Sequence, residues 1–256
     1  MSAPGPAGDA LRHAPLARVV AHRGASGEAP ENTLAAIRLA AEQGALAVEI
    51  DAATSADDVA FVHHDARLER CTSGTGALHE HEACALDELV AGAGHAGHER
   101  EPLPRLAEAI RLCARLGLGL NIEIKSPRGR DRRVAAGVCE AVAAAGADAE
   151  RVVFSSFSTA ALAEARERLP SVPRALLVGA IPERWRDALA AEGSANLHCS
   201  ADRFDAGRAA ALVDAGHGLY CYTVNDAELA RRLLDAGVHG VFTDYPARLA
   251  AALGGA

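Results

Sequence analysis

Short runs of continuous or alternating apolar residues recur along the chain. Longer stretches separate them, in which apolar positions return every three or four residues. The first pattern reads as strand and the second as amphipathic helix. Strand patterns fall at 17–22, 46–51, 119–124, 151–155, 175–178, 195–199, 218–223 and 240–243. Helical patterns fill 32–43, 105–116, 131–145, 158–169, 182–191, 205–215 and 226–236. Strands alternating with helices form parallel sheets, and eight of them in 256 residues predict an α/β fold, a closed TIM (β/α)8 barrel. One run, 59–63, breaks the alternation. It follows the second strand too closely for a parallel crossover, and Thr54-Ser55-Ala56-Asp57-Asp58 between them is turn chemistry. It therefore reads as a β-hairpin extension after the second strand, antiparallel to a continuation of that strand. No internal repeat is visible. The expectation is a single barrel domain over 17–250, preceded by a Pro/Ala/Gly-rich tail, 1–16, expected to be disordered.

Composition narrows the function classes. Half of the residues are hydrophobic and only 4% aromatic, so the core must be built mainly from Ala, Leu and Val. A net charge of −8 argues against nucleic acid as a partner, but not against a small anion in a local positive pocket. No stretch reaches the roughly 18 uncharged apolar residues of a membrane span, so no stable membrane insertion is expected. The first 16 residues lack the basic start and apolar run of a signal peptide. Six scattered cysteines fit neither a zinc framework nor a disulfide scaffold, which points to a cytoplasmic location. Ala-rich helices and acidic patches permit a homo-oligomer without requiring one.

Candidate chemistry begins with lysine usage. Lysine and arginine number 26, and every one except Lys125 is arginine. A compact ammonium kept where arginine serves everywhere else suggests a tight anion site. Active sites of such barrels lie at the C-terminal strand ends. Those ends supply His22-Arg23-Gly24, Glu49-Ile50-Asp51, His64-Asp65, Glu123 with Lys125, Tyr222 to Asn225, and Thr243-Asp244. Alternation places Glu49 and Asp51 on one face, as it does Glu123 and Lys125. Three carboxylates converging in a barrel mouth repel one another by about 4 kcal/mol per close pair. Protons or a divalent cation must relieve that, and an all-oxygen set favours Mg²⁺ or Ca²⁺ over zinc. Arg23 and Lys125 then suit a phosphate, and His22 with His64 can supply one base and one acid. Phosphodiester cleavage accounts for the whole set. His79-Glu80-His81 lies in a polar loop instead, and His63 points away from His64, so neither joins it.

The ordered motifs resemble the glycerophosphodiester phosphodiesterase family over nearly the whole chain. They are Ala21-His22-Arg23-Gly24, Pro30-Glu31-Asn32-Thr33, Glu49-Ile50-Asp51 and His64-Asp65, then Leu68 with Arg70, Thr72, Gly74 and Gly76. Glu123-Ile124-Lys125, Ser155-Ser156-Phe157, Tyr222-Thr223-Val224-Asn225 and Phe242-Thr243-Asp244-Tyr245-Pro246 complete the set. The resemblance implies metal-dependent hydrolysis of a small-molecule glycerophosphodiester to sn-glycerol 3-phosphate and an alcohol. It implies an acid/base pair in His22 and His64, with His22 the base and His64 the acid. It implies metal ligation by Glu49, Asp51 and Glu123, and phosphate contacts from Arg23 and Lys125. Glu31 would support the site from behind, and Asn32 or Thr33 would cap the first helix. Tyr222 stands where the family usually has Trp, beside the substrate's glycerol or alcohol. The alternative function is a lysophospholipase D-type or other phosphodiester-cleaving barrel enzyme acting on lipids. It wants an apolar mouth or membrane-binding surface, for which the chain shows no aromatic-rich loop or basic amphipathic helix.

Overall fold

The computed structural model describes residues 16–92 and 95–254. Residues 1–15 of the expected tail, and 93 and 94 in the glycine-rich loop, lie outside the described residues. In chain order the elements are β1 (Val19–His22), α1 (Leu34–Glu42), β2 (Ala47–Thr54), β3 (Ala60–Val62), α2 (Ala83–Leu86), α3 (Leu106–Leu116), β4 (Gly119–Ile124), α4 (Asp131–Ala144), β5 (Val152–Ser156), α5 (Thr159–Arg168), β6 (Arg174–Val178), α6 (Trp185–Glu192), β7 (Asn196–Ser200), α7 (Ala206–Asp214), β8 (Gly218–Tyr222), α8 (Ala227–Asp235), β9 (Gly240–Thr243) and α9 (Pro246–Ala252). Eight strands pair in parallel in the order β1-β9-β8-β7-β6-β5-β4-β2, and β2 pairs back onto β1. The sheet therefore closes into a TIM barrel. Strand β3 lies antiparallel on the end of β2, with Ala52 opposite Val62 and Thr54 opposite Ala60.

Strand β2 continues past residue 51 to Thr54, as the hairpin requires, because β3 gives its end a hydrogen-bonding partner. Ala52-Ala53 alone carries little strand preference. Helices α1, α5, α7 and α8 start at side-chain caps in the loops above the strands. Thr33, Ser158, Asp205 and Asp226 accept from the amides of Ala36, Ala161, Arg208 and Leu229. The helices bury one face each against the sheet. In α4, Val134, Ala135, Val138, Cys139 and Val142 form that face, as the 3.6-residue period requires. Helix α9 was not foreseen in the sequence. It starts on Pro246, whose fixed φ suits a first turn, and buries Leu249 with Val19 and Val241. His79 and Glu80 belong to a single 3₁₀ turn, Leu78–Glu80, rather than an irregular loop. Trp185 packs in the core, with the Arg186 guanidinium 4.1 Å above its ring. Among the described residues, no helix is long and apolar enough to cross a membrane.

Inside the barrel, period-two alternation turns Val20, Ala47, Tyr220 and Phe242 into a packed floor. Polar inward residues sit above it at the C-terminal strand ends. The fold thus fills its base and leaves its mouth to chemistry.

Candidate active site

The sequence-selected residues converge. His22, Arg23, Glu49, His64, Glu123, Lys125 and Tyr222 line one cavity of about 230 Å³ at the barrel mouth. Asp51 is buried beside them, 1% exposed. Glu31 does not line the cavity and reaches it through Arg23. The Arg23 Nη1 donates to Glu31 Oε1 at 2.8 Å, and its Nε stands 3.2 Å from Asp51 Oδ2.

Each histidine has a fixed carboxylate behind it. His22 Nδ1 bonds Asp244 Oδ1 at 2.7 Å, and the opposite Asp244 oxygen accepts from Asn225 Nδ2 at 2.7 Å. The Ser26 hydroxyl donates 3.0 Å to the same Oδ1. His64 Nδ1 bonds Asp65 Oδ1 at 2.6 Å, and Asp65 is gripped by Arg70 through Nε at 2.6 Å. Ionised aspartate accepts only, so Nδ1 carries the proton in both rings and Nε2 is left for a ligand. Arg70 also donates twice to Glu31, at 2.7 and 2.9 Å. One ionic chain therefore runs His64, Asp65, Arg70, Glu31, Arg23, Asp51.

The three carboxylates expected together are together. Glu49, Asp51 and Glu123 each offer an oxygen within 4.8 Å of the others. Lys125 Nζ lies 2.8 Å from Glu123 Oε1 and 3.6 Å from Asp51 Oδ1. Asn32 holds Asp51 from the β1–α1 loop, donating to Oδ2 at 2.8 Å and accepting the Asp51 amide at 3.0 Å. The Arg23 amide donates to Glu49 Oε2 at 2.9 Å, but Glu49 Oε1 is buried with no hydrogen-bond partner. A buried carboxylate oxygen left bare is costly. A cation bound among these three oxygens would relieve it, so the residues fit a divalent ion.

Electrostatics follow the geometry. Burial, then the neighbouring Asp51 charge, pushes Glu49 up to about 8. Burial and Asp51 also raise Glu123. Asp51 is lowered: burial opposes its charge, but Lys125 and Arg23 outweigh burial. Burial acts against the charged form of both histidines, with different outcomes. At His22 the Asp244 bond and Glu49 overcome it and the pKa is raised. At His64 burial, aided by Lys125 and Arg23, prevails over Asp51 and Asp65, and the pKa is lowered. Burial likewise opposes Glu31, yet the Arg70 and Arg23 bonds bring it to about 2.

Several contributors carried no assigned role in the sequence reading. Asp244 stood among the strand-end residues, and Asp65 beside His64. Asn32 was a candidate cap; Thr33 caps α1, and Asn32 serves Asp51 instead. Its φ of 60° is a left-handed value that asparagine tolerates. Arg70 lies 39 residues from Glu31, and nothing local in the sequence signals that pair. Tyr222 is in the cavity wall, but its hydroxyl donates to the Val178 carbonyl at 2.8 Å, so its ring and not its hydroxyl faces the space.

The model of the glycerophosphoryl diester phosphodiesterase family matches residues 22–248. The chain is 32% identical over 248 residues to the Bacillus subtilis protein YqiK, covering 93% of this chain and 99% of that one. It is 31% identical to a glycerophosphodiester phosphodiesterase of Caldanaerobacter subterraneus, across 90% of this chain and 95% of the relative. Among solved structures, an Oleispira antarctica phosphodiesterase in complex with its product sn-glycerol-3-phosphate superposes with a TM-score of 0.90. The two are 36% identical, with 93% of this chain and 97% of that one covered. Similarity of this extent, with the family model matched over residues 22–248, makes the chain a member of the glycerophosphodiester phosphodiesterase family.

Proposed function

We propose that this chain hydrolyses glycerophosphodiesters to sn-glycerol 3-phosphate and an alcohol, using His22 as base, His64 as acid and a divalent cation, Mg²⁺ or Ca²⁺, held by Glu49, Asp51 and Glu123. The observation that carries this is the pair of aspartate-backed histidines on either side of a carboxylate trio with a bare buried oxygen. A bound divalent ion would supply positive charge to the phosphate oxygens as they gain negative charge. Lys125 and Arg23 add fixed cations at the same place, worth most where water is excluded. His22 Nε2 takes the proton of the attacking hydroxyl, either of water or of the substrate's own glycerol. As the bond from phosphorus to the leaving oxygen breaks, His64 Nε2 returns a proton to that oxygen. Asp244 and Asp65 fix the ring tautomers, and Glu31 steadies both arginines.

The test is release of glycerol 3-phosphate from glycerophosphocholine and glycerophosphoethanolamine with Mg²⁺, with Ca²⁺ and with a chelator. Release that needs the metal and disappears in His22→Ala and His64→Ala is expected. Full release in the chelator would sink the metal assignment. A 2-deoxyglycerol substrate identifies the attacking hydroxyl: normal turnover means water, and none means the substrate's own.

A further inference from the structure

Resting on that diesterase reading, we propose that His198, together with Asn121, is a specificity-determining residue that hydrogen-bonds the terminal hydroxyl of the substrate's glycerol half. His198 lies outside every motif that suggested the function. It comes from β7, which in the closed strand order stands across the barrel from β2. Its ring rests on the packed floor, 5.4 Å from the Tyr220 ring and 5.0 Å from the Phe242 ring. There it lines the same cavity as His22, Glu49 and Lys125.

Both ring nitrogens of His198 are buried without a hydrogen-bond partner. Asn121, on β4, lines the same cavity. Its Nδ2 donates to Ser155 Oγ at 2.9 Å, but its Oδ1 is buried and also has no partner. Buried polar groups are nearly always paired, and an orphan is costly. None of these atoms is open to solvent, so whatever completes them must be enclosed with them. Burial alone lowers the His198 pKa to about 3, so the ring is neutral, one nitrogen donating and the other accepting. A charged group finds no counter-charge there, whereas a hydroxyl, donor and acceptor at once, suits both residues. Glycerol presents one in the right direction. Arg23 and Lys125 hold the phosphate from β1 and β4, and the terminal hydroxyl is the polar group of the glycerol half farthest from phosphorus. The departing alcohol varies between substrates, while the glycerol half is common to all of them and can be matched by a closed floor.

The test compares glycerophosphocholine with the phosphocholine ester of propane-1,2-diol, joined at its primary oxygen, which keeps the middle hydroxyl and lacks the terminal one. With Mg²⁺ and Ca²⁺ in parallel, the wild-type protein is expected to favour the glycerol ester by about a hundredfold in kcat/KM. His198→Met substitutes an adaptable apolar side chain for both ring nitrogens. It should bring that ratio to within about fivefold, by slowing the glycerol ester and sparing the propanediol ester. The ligand-free variant should melt no lower than wild type, because the unpaired nitrogens contribute nothing to the empty fold. His198→Gln, which keeps a donor and an acceptor, should retain most of the preference. Equal wild-type rates on the two esters would mean that an enclosed water completes His198, and overturn the proposal. So would a ratio that His198→Met leaves unchanged, or a loss in His198→Gln as complete as in His198→Met. A His198→Met protein that melts well below wild type and loses both esters equally, or fails to fold, would make the histidine structural and overturn it too. Cleavage of neither ester by the wild type overturns the diesterase reading itself and this assignment with it, which separates the two failures.

Discussion

Asp244 shows how much of the chemistry rests on a residue that touches no substrate. It holds one proton of His22 and is itself pinned by Asn225 and Ser26. Asp244→Asn keeps the shape but can present an amide donor to Nδ1, which favours the wrong tautomer. A fall in kcat of about a hundredfold or more, with KM nearly unchanged, is the expected result of steady-state kinetics. A similar fall in KM-dependent binding instead would place Asp244 in substrate contact. Glu49 makes a second case. Its folded pKa, about 8, lies above the ordinary carboxylate value, so the native state keeps a proton that the unfolded chain has lost. Stability from that proton is present below the unfolded value and disappears as pH rises through the folded one. Metal-free protein should therefore lose thermal stability between roughly pH 5 and 8. Saturating Mg²⁺ or Ca²⁺ should restore it at pH 8 by about 5–10 °C, the effect of a ligand at some hundred times its Kd. Glu49→Gln should flatten the pH dependence and lose the metal response in the same thermal melts. A metal response retained in that variant would remove Glu49 from the ligand set.

The β1–α1 loop does the most positioning per residue. Arg23, Gly24 and Asn32 all have left-handed φ, of 56°, 80° and 60°. The path they impose brings the Arg23 amide to Glu49 and the Asn32 side chain to Asp51. At Gly24 only glycine fits, since an added Cβ would stand 2.6 Å from the carbonyl carbon of Ala36. Strain from φ and overpacking together make Gly24→Ala destabilising by about 3 kcal/mol, or roughly 6–12 °C in Tm. A loss under about 1 kcal/mol would mean that α1 yields easily and that the loop is not held rigid. The elements were legible because each strand and helix has its own periodicity and the caps stand at their starts. What the sequence hid needs a partner from elsewhere. Helix α9 forms because Leu249 finds Val19 and Val241. The same division holds in the site. His22, His64 and the carboxylates were visible as polar residues at strand ends, whereas the Arg70 link to Glu31 exists only once the chain is folded.

Across the whole molecule, the hairpin extension and the segment after it are fastened to the barrel by the β2–β3 pairing, by an apolar cluster around Phe61, Leu68 and Leu86, and by charge. Arg70 bridges Asp65, next to His64, and Glu31, above α1, so it joins the half of the site carried by the extension to the half carried by β1. The two carboxylates feel this. Burial opposes Glu31, but Arg70 and Arg23 hold it at about 2, and the Arg70 bonds hold Asp65 well below the usual range. Depressed folded values contribute stability that is present above the unfolded carboxylate pKa and is lost as pH falls toward the folded one. Wild-type protein should accordingly lose urea resistance between roughly pH 5 and 2. Asp244, also near 2, adds to the same slope: burial opposes its charge, but the His22 and Asn225 bonds outweigh it. Arg70→Met keeps an apolar stem of similar length and removes the guanidinium that pairs with two of these three groups. The variant should be less stable at neutral pH, and its urea midpoint should fall less steeply across that acid interval. Parallel curves would mean that acid acts elsewhere. A flattened curve accompanied by a drop in kcat at neutral pH would show that the bridge holding the extension against acid is also the one that keeps His64 at the cavity it shares with His22.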